Sequence, residues 1–111
     1  QREKGVFGFK IVLLNNNFML SKVPINLEKV KKENIDKEIL RVGMIAELDA
    51  VNLYEQLAAM TDKEDIKKVF LDIAKEEKTH VGEFQSLLLE EDREQAEELE
   101  RGKKEVEELK K

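Results

Sequence analysis

Two long stretches of apolar residues recurring at three and four, separated by only a few polar residues, leave this chain few ways to fold. From about Asp36 to Met60, Leu40, Met44, Val51 and Ala58 share one stripe, and Glu47 and Tyr54 occupy its remaining positions. That is the period of an amphipathic helix. Thr61-Asp62-Lys63-Glu64 follows with the form of a capping box. In such a box the Thr61 hydroxyl accepts from the Glu64 amide while the Glu64 carboxylate reaches back. A second helix is predicted to about Glu90, its stripe being Ile66, Val69, Phe70, Ile73, Glu77, His80, Phe84 and Leu87. Two helices of this length joined by so tight a turn must be antiparallel neighbours, an αα-hairpin.

The flanks are less regular. Asp92 and Gln95 can cap a third helix over residues 91–111, with sparse apolar positions at Ala96, Leu99, Val106 and Leu109. Gly102 inside it costs roughly 1 kcal/mol against alanine. This helix is expected to lie on the surface and to need a partner chain to stay ordered. Residues 19–35 read as a lead-in with the sole proline, Pro24, and one short helical turn after Asn26; 36–111 form the helical domain. Residues 1–18 read as an upstream extension, because Met19 resembles a natural start. The apolar run Val6–Leu14, broken by Gly8 and Lys10, is too short to span a bilayer and lacks a small-residue cleavage site after it.

Bulk properties agree. At 111 residues the chain is one small domain with a modest core, so oligomerisation is expected. Charged residues make up 41% and aromatics 5%, a balance that suits long helices rather than a sandwich or barrel. The net charge of −5 comes from interleaved acids and bases, which argues against nucleic-acid binding. The absence of cysteine excludes disulfides and thiolate metal sites. A soluble, cytoplasmic protein that does not engage a membrane is expected.

Three polar residues stand where apolar ones belong: Glu47, Glu77 and His80. Burying a lone carboxylate costs several kcal/mol unless it is neutralised or paired. A bound metal would explain all three at once. With the turn centred near residue 62, Glu47 lies about 15 residues before it and Glu77 about 15 after it, so each stands roughly 22 Å from the turn. They therefore face each other. Glu77 and His80 are spaced i, i+3 and share a helix face. Taken singly, each residue has a blander reading: a rim glutamate, a hydrogen-bonded histidine, a chance Glu-x-x-His. Stripe placement, equal distance from the turn and i, i+3 spacing together favour the metal.

One hairpin supplies half of the inventory of a two-metal carboxylate bundle, which takes one Glu from each of two helices and Glu-x-x-His from each of two others. His80 is the only histidine, so the other half must come from another chain. A two-fold pairing of hairpins into a ferritin-like four-helix bundle would complete the site. A carboxylate-rich set with one imidazole per metal suits iron or manganese. Tyr54, two turns after Glu47, can pack in the core or hydrogen-bond a ligand carboxylate. Asp49 and Glu76 flank the site and are expected mainly as solvated charges. A role in guiding Fe²⁺ inward is the alternative.

The segment Ile45-Ala46-Glu47-Leu48-Asp49-Ala50-Val51-Asn52-Leu53-Tyr54-Glu55-Gln56, with Glu76-Glu77-Lys78-Thr79-His80-Val81-Gly82-Glu83-Phe84, resembles the encapsulated ferritin family. These are ferritin-like proteins of encapsulin nanocompartments. The likeness covers roughly residues 36–110 and is greatest to the domain that some archaea fuse to the front of the shell protein. It implies a ferroxidase that oxidises Fe²⁺ across a homodimer interface, with Glu47, Glu77 and His80 as catalytic ligands. It also implies a tyrosine at Tyr54 beside the centre, a ring of dimers (a decamer) in which the third helix helps dimers to meet, and an encapsulin shell as partner. Family members admit metal past acidic residues near the first-helix ligand. Asp49 matches one of these, while Ala46 replaces another. The Gly-rich, apolar targeting peptide of cargo members has no counterpart in Glu107-Glu108-Leu109-Lys110-Lys111. Two rivals remain in view. One is a non-catalytic assembly module with a structural metal. The other, a rubrerythrin-like peroxidase, is disfavoured because such chains carry two metal motifs and this one carries a single Glu-x-x-His.

Overall fold

The computed structural model describes residues 26–111. The extension at 1–18 and the start of the lead-in lie outside the described residues. Two 3₁₀ turns, Leu27–Lys29 and Lys32–Asn34, lead into three α-helices. These are α1 (Ile35–Met60), α2 (Glu64–Glu91) and α3 (Arg93–Leu109). The described residues contain no strand, as an all-α fold requires. None of these helices is long and apolar enough to cross a membrane.

α1 and α2 form the expected hairpin. Its seam is narrow, because the buried apolar residues are mostly alanines: Ala46, Ala50, Ala58 and Ala74, with Val51 and Leu88. Small side chains let two helix backbones approach closely, but each contributes little apolar area. Two larger contacts punctuate the seam. The rings of Tyr54 and Phe70 meet with centroids 6.1 Å apart, toward the turn. Toward the open end, the Phe84 ring lies over Gly43, where an added Cβ would come within 3.2 Å of it.

Two local expectations need correction. The capping box does not form. The N-cap of α2 is Lys63, without a side-chain cap, and Thr61 instead accepts a hydrogen bond from the Lys63 amide at 3.2 Å. Thr61 sits in extended backbone as the C-cap of α1, so its hydroxyl closes a tight local turn and does not reach the Glu64 amide. The stripe of α2 is also rotated from the expected one. Ile66, Val69 and Leu87 are exposed in the single chain, while Ala74 and Leu88 are buried. The apolar surface of α2 is wider than one neighbouring helix can cover, and the hairpin takes the side carrying the smaller residues.

Asp92 makes the second corner. It is the one non-helical residue between α2 and α3, with φ −131° and ψ 91°. Its carboxylate accepts from the Gln95 amide at 3.0 Å, so the expected cap forms, with Gln95 contributing its backbone. The same carboxylate accepts from Arg41 Nη2 of α1 at 2.6 Å. Nothing in the sequence signalled this link. Beyond it, α3 buries no residue and presents Leu99, Val106 and Leu109 to solvent. The radius of gyration, 16.4 Å, exceeds the roughly 12–13 Å of a compact domain of this size, as a projecting arm requires.

Candidate metal centre

Equal distances from the turn bring Glu47 and Glu77 to the same level of the hairpin. Both are buried, at 7% and 6% of full exposure, on the α1 and α2 sides of the seam. His80, one turn beyond Glu77, is half-buried, and its Nδ1 lies 3.3 Å from Glu47 Oε2 and 3.4 Å from Glu77 Oε2. One donor atom from each residue lies within 4.8 Å of the other two. Burial is the main influence on the Glu77 carboxyl and pushes its pKa above the usual value, while the charge and hydrogen bond of His80 pull the other way.

This cluster is uncomfortable without a cation. Two carboxylates share a buried space, and one imidazole nitrogen has at most one proton to offer between them. Adjacent ligands on an octahedral ion at about 2.1 Å would stand roughly 3 Å apart, close to the two distances His80 makes to Glu47 and Glu77. Three protein donors would fill only half of a six-coordinate shell, so such an ion would need further donors.

The other singled-out residues fall elsewhere. Tyr54 packs on Phe70 toward the turn and is not part of the convergent set. Asp49 is half-buried, and two residues along the helix turn it some 200° away from Glu47. Glu76 is exposed. Lys78 and Glu55 form a cross-hairpin ion pair at 3.2 Å beside the site, exposed enough to contribute little.

Comparison with known proteins agrees with this fold. The family model described as Rubrerythrin matches residues 38–111. A ferritin-like-encapsulin shell fusion protein of Pyrococcus furiosus is 53% identical over 85 residues, which is 77% of this chain and 25% of that protein. An encapsulin nanocompartment cargo protein, EncC, of Myxococcus xanthus is 37% identical over 70 residues, covering 60% of this chain and 54% of its own. The chain thus spans about a quarter of the first relative and about half of the second. The crystal structure of the encapsulated ferritin domain from Pyrococcus furiosus aligns with a TM-score of 0.70 at 52% identity, over 81% of this chain and 94% of that one. With one Glu-x-x-His on a hairpin and these matches over most of its length, the chain belongs to the rubrerythrin family of ferritin-like domains, in its encapsulated-ferritin branch.

Proposed function

We propose that the chain is a ferroxidase: two copies pair around two Fe²⁺ ions and oxidise them to Fe³⁺ for storage inside an encapsulin compartment. The observation that carries this reading is the convergence of Glu47, Glu77 and His80 in a chain with no second histidine. Two-fold pairing would surround two ions with four carboxylates and two imidazoles, the donor set of di-iron bundles. Iron is the favoured ion, with manganese the alternative. Each Fe²⁺ gives up one electron. The pair together reduces dioxygen and two protons to hydrogen peroxide, or hydrogen peroxide and two protons to water. The protein's part is to hold the two ions at a fixed spacing and keep coordination positions open for the oxidant.

The relatives' names support the setting: one is fused to an encapsulin shell and another is an encapsulin cargo protein. A ring of dimers, a decamer by resemblance, housed by a shell in the cytoplasm, is the corresponding assembly. Tyr54 would support a ligand carboxylate once hairpins pair, and Asp49 would lie on the path by which Fe²⁺ comes in. The test is oxidation of Fe²⁺ on exposing anaerobically loaded protein to air. Wild type should form Fe³⁺ faster than Fe²⁺ does alone. Glu77→Ala should fall to the protein-free rate while its circular dichroism stays helical. Undiminished oxidation by that variant would end the assignment.

The exposed Leu99, Val106 and Leu109 on α3 favour a second reading, an assembly module with a structural metal. Chelation separates the two. A structural metal would be needed for the oligomer, and no turnover would be seen with or without it.

A further inference from the structure

Because alanines line most of the α1–α2 seam and no large side chain in it is fully buried, few groups can set the distance between the helices. Phe84 is one, and it lies one helical turn from a ligand of the metal centre. It follows His80 by one turn on the same face of α2, and Gly43 precedes Glu47 by one turn on α1, so ring and glycine meet about 6 Å along the seam from the ligands. The contact is close. A Cβ at Gly43 would stand 3.2 Å from both Cδ2 and Cε2 of Phe84, tighter than an ordinary Cβ contact, so the ring packs directly on the glycine. The other ring contact, Tyr54 with Phe70, stands about 10 Å along the seam from the ligands, on the turn side.

We propose that Phe84, seated on Gly43, is a positioning residue that fixes the α1–α2 separation at which Glu47, Glu77 and His80 converge on one ion. The inference rests on the metal reading of that cluster. Donor atoms held within 4.8 Å of one another tolerate little drift, and displacement of a reacting group by about 1 Å can cost two orders of magnitude. Removing the ring leaves a gap in a stretch of seam lined mostly by alanines, and the helices can then approach or slide. Leucine refills much of that volume.

Titration of the full-length protein with Co²⁺, followed by its visible absorption, tests this without any turnover. Phe84→Ala should bind Co²⁺ about tenfold or more weakly with an altered band shape, the scale typical of groups that hold ligands in place. Phe84→Leu should recover most of the lost affinity and show the wild-type band. Leu88→Ala, a buried truncation two turns from His80, should lower the melting temperature while keeping both affinity and spectrum. If Phe84→Ala binds as wild type does, or if Phe84→Ala and Leu88→Ala weaken binding in step with lost stability, the positioning role is wrong while the metal site stands. Should Phe84→Ala not fold, Phe84→Leu decides alone: a Co²⁺ affinity far below that of Leu88→Ala, without the wild-type band, contradicts the proposal. Absence of Co²⁺ binding by wild type would overturn the metal reading and this inference together.

Discussion

Replacing Glu77 with leucine should make the metal-free protein more stable and the metal-loaded protein less so. Glu77 keeps 6% of its exposure, and burial, the largest influence on its carboxyl, disfavours the charged form. Its neighbour Glu47 is equally buried, and the two share one imidazole. Leucine removes one of two crowded carboxylates and adds apolar contact in a seam with little of it. Exchanging buried ionic groups for apolar ones of similar volume is often stabilising by about 1–4 kcal/mol. For a domain of this size each kcal/mol moves the melting temperature by about 4–8 °C, so even the low end is visible. Metal works the other way. At a hundredfold excess over the dissociation constant, a ligand of the folded state adds about 2.7 kcal/mol. Wild type should therefore melt about 11–22 °C higher with Mn²⁺ at that excess than with chelator. Glu77→Leu should start above metal-free wild type and gain almost nothing from Mn²⁺. Differential scanning fluorimetry with chelator and with Mn²⁺ reads all four values. If Glu77→Leu melts below wild type in chelator, the cluster is a self-sufficient hydrogen-bonded network, and a need for metal is the wrong explanation of its burial.

Two other outcomes follow from the corners and surface of the fold. The Gln95 amide above all, and then the Arg41 guanidinium, lower the pKa of the Asp92 carboxyl, so its contribution to stability is complete above the unfolded carboxylate range and is lost as pH falls through the lowered folded-state value. Urea midpoints of wild type and Asp92→Ala should thus differ at neutral pH and converge in acid, and a constant gap across that range would contradict this. Gly102 is helical with nothing within 4 Å of an added Cβ, so Gly102→Ala should stabilise α3 by up to about 1 kcal/mol, read as slower amide exchange there.

Much of the hairpin was legible because its signals are local or symmetric. Period, turn length and the equal offsets of Glu47 and Glu77 all live on one helix or on its mirror position. What was missed depends on choices the pattern leaves open. Thr61 had two nearby amides to bind, and the four-residue motif names only the one it does not take. The apolar surface of α2 spans more than one neighbour can cover, so Ile66, Val69 and Leu87 were as plausible inside as Ala74 and Leu88. Arg41 and Asp92 meet across 51 positions of chain, and no periodicity links an arginine on one helix to the cap of another. The closeness of Phe84 to Gly43 likewise needs coordinates, since a helical glycine reads from sequence only as a weak point.

The alanine-lined seam bears on more than the spacing of ligands. A hairpin whose helices share so little apolar volume has small cohesion of its own, and part of its wider apolar surface still faces water. Where such a chain gains its remaining contacts from another copy, folding and association become one equilibrium, and protein concentration enters the stability as directly as temperature does. Dilution then acts on it as a denaturant acts on a monomer. Confinement of many copies in a small volume would do the reverse, holding the helices together by mass action where their own packing is thinnest.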